Sequence, residues 1–161
     1  MAMITIGSAR MDSRKKYSGD VAGDQLQKSG ATNDTVGEVA MEPMYNHKSG
    51  WFVIRPKSVE HANAIADRMI TACNNTNIGY DQSGRLGVID HGVESKIKTE
   101  CDCSSLVRQC VREATSKDPG NFTTGNEASI LHTTGLFEDK FVYVSQEKTP
   151  LFNGCFMKGM I

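Results

Sequence analysis

The sequence predicts an α+β fold with helices packed on an antiparallel sheet, and three observations lead there. Ala62, Ile65, Ala66, Met69, Ile70 and Cys73 recur at helical spacing. Leu106, Val107, Cys110, Val111 and Ala114 repeat that pattern later in the chain. Around them lie a strand-poor amino-terminal part and, towards the end, runs rich in β-branched and aromatic residues, an order that suits α+β rather than alternating α/β.

Taken in order, Met3 to Ile6 reads as a short strand, and the Gly-, Ser-, Asp-, Asn- and Lys-rich stretch from Ser8 to Gly37 reads as loop. Within it, Gly23-Asp24-Gln25 is a turn. Glu38 to Met44 is extended, and Trp51-Phe52-Val53-Ile54-Arg55 is a strand stopped by Pro56. Ser58 opens the first helix and Asn74-Asn75-Thr76-Asn77 closes it, with His61 on its surface and Cys73 in its core stripe. The glycine-flanked Ile78 to Arg85 reads as loop, followed by a polar segment with His91 in an Asp-His-Gly turn. The second helix starts at Cys103 and runs to about Ser116, closed by Asp118-Pro119-Gly120. A short helix is expected from Asn126 to Thr133, capped by Gly135, with His132 near its end favoured by the helix dipole. Phe141 to Ser145 is a strand, and Leu151 to Met157 a turn entering another.

Composition bounds the function. The 161 residues suit one domain. Hydrophobic content of 39% with 23% charged residues describes an ordinary globular chain, and no apolar run is long enough to insert in a membrane. A net charge of −1 argues against a nucleic-acid partner, because phosphate neutralisation needs surplus Lys and Arg. The amino terminus lacks a signal peptide's basic start and long apolar middle, so synthesis in a cytoplasm is expected. Five cysteines, Cys73, Cys101, Cys103, Cys110 and Cys155, make a disulfide framework unexpected in that setting. Cys101, Cys103, Cys110 and His91 offer a zinc-binding alternative, against which stands the Cys-x-Cys spacing without a second pair. No cofactor or metal is expected.

The chemistry concentrates at Glu100-Cys101-Asp102-Cys103-Ser104-Ser105-Leu106-Val107. Asp102 can cap the second helix by accepting orphan backbone N–H groups, which leaves Cys103 at the positive end of the helix dipole. A thiol there is expected to ionise more easily and to serve as a nucleophile. The plain alternative is a small buried cysteine. For Tyr80 the residues alone favour a buried ring with a satisfied hydroxyl.

Asp102-Cys103-Ser104-Ser105 opening an apolar helix, with Gly79-Tyr80 some way before it, resembles the nucleophile region of NlpC-type papain-fold cysteine peptidases. More closely, the chain resembles the lysin domains of bacteriophages that infect Gram-positive bacteria. Ala22-Gly23-Asp24-Gln25, Asn77 to Gln82, Glu100 to Val107, and Thr123-Thr124-Gly125-Asn126-Glu127 carry that likeness in order. The resemblance implies a papain-like fold and a peptidoglycan hydrolase that cuts peptide or amide bonds of wall stem peptides, often beside a D-amino acid. It assigns Cys103 as nucleophile through a thioester, its backbone N–H as an oxyanion donor, and Tyr80 as a hydroxyl near the reacting sulfur. It also implies manufacture in the host cytoplasm and action on the wall after release.

The resemblance implies a histidine on a strand after the cysteine helix, following a turn that ends in Gly-Asp. Here Asn153-Gly154 is followed by Cys155, and no histidine follows before Ile161. Three explanations stand open: His91 or His132 as substitute base, a domain spanning 1–161 that is truncated at its carboxyl end, or a base from another chain. Beside the hydrolase stands a second expectation, a catalytically incomplete wall-binding remnant or regulator.

Overall fold

The computed structural model describes residues 5–10, 38–44, 51–142 and 156–158, with only the backbone described for 140–142 and 156–158. Its order is β1 (Thr5–Ala9), β2 (Val39–Pro43), β3 (Trp51–Pro56), α1 (Val59–Cys73), β4 (Ile78–Tyr80), α2 (Gly87–His91), β5 (Thr99–Cys101), α3 (Cys103–Thr115), α4 (Glu127–Thr133), β6 (Phe137–Val142) and β7 (Phe156–Lys158). This is the expected α+β mixture. The single antiparallel sheet is not what forms, however. Among the described residues the strands divide into an antiparallel β1–β2 pair, a three-stranded antiparallel sheet ordered β6-β3-β7, and a parallel β4–β5 pair.

Local chemistry explains the helices. Ser58 caps α1 by accepting the His61 backbone N–H at 3.2 Å. Ala62, Ile65 and Ala72 of α1 are buried, with Met69 and Cys73 packed against them, whereas Ala66 and Ile70 face outward. The buried stripe is therefore narrower than the periodicity implies, because α1 lies against one helix and the edges of small sheets rather than in a deep groove. Its main partner is α3, whose Leu106, Cys110 and Val111 are fully buried. Each such aliphatic side chain contributes about 1.5–3 kcal/mol by leaving water.

β3 runs through the middle of its sheet and serves two cores. Ile54 joins the main cluster with Ile65, Ile78, Leu106 and Leu131, while Trp51 and Val53 form a smaller cluster with Ile6. Pro56 ends β3 as an in-register partner of Phe137.

Several expectations need correction. The first strand covers Thr5–Ala9 and so continues past Ile6, while Met3 and Ile4 lie outside the described residues. Ile78-Gly79-Tyr80 is a fully buried strand rather than loop, with Gly79 opposite Glu100 and Tyr80 opposite Cys101. It is held from a distance: the Glu38 carboxylate accepts the Tyr80 backbone N–H at 2.7 Å across 42 residues of sequence. The segment around Asp90-His91 is not simply a turn either, since Gly87–His91 forms the short helix α2, ended by Gly92 at φ 79°. Gly87 is required there, because a Cβ at that position would strike Thr99 Oγ1 and come within 3.1 Å of the Glu100 backbone. The strand expected at Phe141 to Ser145 starts earlier, at Phe137. The turn at Gly23-Asp24-Gln25, the stretch Ala22 to Gln25, residues Tyr143 to Ser145, Asn153-Gly154 and Cys155 lie outside the described residues.

Candidate functional site

β4, β5 and the start of α3 bring the candidate residues together. β5 ends at Cys101, the chain turns at Asp102, and α3 begins at Cys103. Asp102 makes the full capping box: its Oδ1 accepts the Ser105 backbone N–H at 2.7 Å, and Ser105 Oγ accepts the Asp102 backbone N–H at 2.9 Å. Ser104 Oγ donates to Asp102 Oδ1 at 3.1 Å. The polar start of α3 is thus fixed by its own four-residue sequence, as expected.

Arg85 locks this turn to the rest of the site. Its Nε lies 2.7 Å from Asp102 Oδ2 as an ion pair, although the N–H is not aligned with that oxygen as a hydrogen bond. Its Nη2 donates to Ser104 Oγ at 2.9 Å and to the Phe122 carbonyl at 2.7 Å, and its Nη1 reaches Asn121 Oδ1 at 3.2 Å. The guanidinium fork therefore ties the segment before α4 to the start of α3.

Cys103 is half-buried, and its sulfur receives the backbone N–H groups of Cys103 and Ser104. Those donors act in the direction expected at a helix start, but they do not prevail. Burial, with the nearby Asp102 and Glu127 carboxyls, pushes the Cys103 thiol up to about 11. The expected easy ionisation is therefore corrected: at neutral pH the resting group is a thiol. Cys101, only two residues earlier, is fully buried and donates to the Gly79 carbonyl at 3.4 Å. Burial also raises its thiol well above the usual range.

Tyr80 is fully buried, and its side chain hydrogen-bonds to Gln82. Burial first, and then that bond in the opposite sense, set its hydroxyl well above the ordinary range, with Cys103 and Asp102 close enough to add repulsion. The buried ring agrees with the reading from the residues alone.

The histidines fall elsewhere. His91 is exposed at the end of α2, whose exit packs on the far half of α3: the Val93 backbone N–H donates to Glu113 Oε1 at 3.0 Å, and Arg112 reaches the Ile89 carbonyl at 3.2 Å. His132 pairs through Nε2 with Asp139 of β6. Among the described residues no histidine hydrogen-bonds to Cys103, and no three His, Cys, Asp or Glu side chains gather as metal ligands. Among the described cysteines, Cys73, Cys101 and Cys103 form no disulfide.

Glu127 is not singled out by the sequence. It opens α4, is 4% exposed, and its Oε1 is buried with no hydrogen-bond partner among the described residues. Burial, with Asp102 beside it, pushes its carboxyl up to about 8. The available signal is its position in Thr123 to Glu127, ahead of the apolar Ile130 and Leu131.

A family model of endolysin-like domains matches residues 6–155. The chain belongs to that family. Membership in the endolysin-like family points to a phage cell-wall hydrolase with peptidoglycan as its substrate. No curated protein and no solved structure gives a significant match. No described helix of the endolysin-like domain is long and apolar enough to cross a membrane.

Proposed function

We propose that this endolysin-like domain hydrolyses peptide or amide bonds in peptidoglycan stem peptides with Cys103 as nucleophile, in the manner of NlpC-type papain-fold peptidases. The observation that carries the proposal is the Cys103 sulfur at the first position of a capping-boxed helix, with two backbone N–H groups directed at it. Those groups lie in the first turn, where helix N–H groups have no intrahelical acceptor. As Sγ bonds to the scissile carbonyl carbon, the negative charge moves to the carbonyl oxygen, and the same donors can follow it there. The amine leaves, a thioester remains, and water hydrolyses it.

Asp102 acts through position rather than contact with substrate: it fixes the first turn of α3 and holds Arg85. The Tyr80 hydroxyl is close enough to Cys103 and Asp102 for their charges to act on it. In the cell, the domain is made in the host cytoplasm and meets its substrate when the wall becomes accessible at lysis.

The resting thiol at about 11 favours one further reading, a wall-peptide binder that keeps the site without turnover. Turbidity loss of purified Gram-positive walls separates the two. The intact domain is expected to clear the suspension, and Cys103→Ala to abolish clearing while still sedimenting with the walls. Equal clearing by both removes Cys103 as nucleophile. Co-sedimentation without clearing by either supports the binder.

A further inference from the structure

Arg85 is fixed at both ends, and its far end is fixed on the start of α3. Its backbone lies in a tight turn closed by the Gly87 N–H, which donates to the Gly84 carbonyl at 2.9 Å. Both glycines press on β5, the strand that leads into the nucleophile turn. A Cβ at Gly84 would come within 3.1 Å of the Glu100 side chain, and one at Gly87 within 3.1 Å of the Glu100 backbone. From that seat each nitrogen of the guanidinium faces a protein oxygen: Nε faces Asp102, Nη1 faces Asn121, and Nη2 faces both Ser104 and Phe122. Ser104 is 19 residues away in sequence and Phe122 is 37, so only the fold gathers them.

We infer that Arg85 is a positioning residue for the hydrolysis: through Asp102 and Ser104 it keeps the first-turn N–H groups of α3 on the reacting atoms, and so sets kcat rather than substrate binding. The role rests on the hydrolase reading given above and adds a residue that acts only through others.

Ser104 is the link. Its backbone N–H points at the Cys103 sulfur, while its hydroxyl accepts from Arg85 Nη2 and donates to Asp102 Oδ1. Asp102 in turn fixes Ser105 through the cap and faces Arg85 Nε. Cys103 is thus flanked in sequence by two residues in the grip of Arg85. Donors that stabilise a developing oxyanion work because they need no rearrangement as the charge arrives. Losing one such donor costs about a hundredfold or more in rate, and a displacement of about 1 Å can cost about as much. A lysine cannot take over, because one ammonium cannot face Asp102 and also bridge Ser104 to the Phe122 carbonyl.

The test uses the full chain on purified Gram-positive walls, with released amino groups followed against wall concentration to separate kcat from KM. Arg85→Lys, Asp102→Asn, their double variant, Arg108→Lys and Cys103→Ala are compared with the parent, and circular dichroism checks each fold. Asp102→Asn keeps an oxygen for the cap but removes the charge that faces Arg85. Arg108→Lys loosens a different two-bond pair, with Asp118, further along the same helix. Arg85→Lys is expected to lower kcat by about tenfold or more with KM within about threefold of the parent. Asp102→Asn is expected to do the same. The double variant is expected to lose no more than about threefold beyond the worse single one, because the pair acts as a unit. Parent-like kcat in folded Arg85→Lys overturns the inference. So do losses that multiply in the double variant, a loss confined to KM, and an equal loss in Arg108→Lys. Where Arg85→Lys does not fold, Asp102→Asn decides on the same thresholds. Hydrolysis by the parent but not by Cys103→Ala, with Arg85→Lys unimpaired, rejects Arg85 alone and leaves the hydrolase reading standing. Walls left intact by the parent, or cleared equally by Cys103→Ala, reject the hydrolase reading and the role of Arg85 with it.

Discussion

The two ends of α3 both carry carboxylates and treat them differently. At the carboxyl-terminal end, Glu113 is fully engaged: Oε1 accepts from the Val93 backbone at 3.0 Å and Gln109 Nε2 at 2.7 Å, and Oε2 lies 3.6 Å from Arg68. At the amino-terminal end Asp102 is engaged as thoroughly, by Ser105, Ser104 and Arg85. Glu127, packed at that same end, has no such partner for its Oε1 among the described residues. Glu113 and Asp102 are held by donors on their neighbours, whereas Glu127 keeps a buried oxygen that accepts no hydrogen bond among the described residues.

Stability measurements can break or sharpen this contrast, and the largest effect belongs to Glu127. Its carboxyl is raised in the folded domain, so the folded state holds a proton that the unfolded chain has already released. Its contribution is therefore neutral below the ordinary carboxyl range, turns destabilising as pH rises above about 4.5, and is complete above about 8. Glu127→Gln is expected to stabilise the domain by on the order of 4 kcal/mol at pH 9 and by little at pH 4, read by urea unfolding at both. An equal effect at the two values would place Glu127 among the partnered carboxylates.

Asp102→Ala comes next, with a loss of about 2–4 kcal/mol, as the α3 cap disappears and the half-buried Arg85 loses its counter-charge. Thermal melts check it, and a change below about 0.5 kcal/mol contradicts the capping role. Glu113→Ala should cost about 1–3 kcal/mol by stranding the Val93 N–H and Gln109, and should leave wall hydrolysis unchanged.

The smallest effect is at the exposed side of α3, where Arg108 grips Asp118 through two bonds of 2.8 Å. The hydrogen bond from Arg108 lowers the Asp118 carboxyl to about 2. A lowered carboxyl stabilises above its ordinary range and loses that effect as pH falls through about 2. Asp118→Asn should cost less than about 1 kcal/mol at pH 7, because solvent screens the pair, and close to nothing once the pH falls below about 2. Parallel denaturant curves at the two pH values decide it.

These differences also explain what is legible in the sequence. The cap at Asp102 and the helix after it are local, since a side chain reaches only three residues on, so Asp102-Cys103-Ser104-Ser105 announces them. β4 is hidden because its three residues are too few for a periodic pattern and their restraint comes from Glu38, far away in sequence. The thiol's state is hidden for a related reason. The helix start and the Asp102 charge are visible in the sequence, but the burial that chiefly raises the thiol is tertiary. Glu127 itself is in view as a letter, and only packing shows that its oxygen has no partner.

The parallel pairing of β4 with β5 has a consequence in time. Parallel strands need a crossover between them, here the segment that carries α2, and such distant pairing closes slowly compared with a local helix. In the unfolded chain the sulfur is an ordinary accessible thiol with a pKa of about 8.5, whereas burial in the folded domain holds it up at about 11. Oxidants and electrophiles are therefore expected to react with the sulfur more readily before that pairing closes than after it.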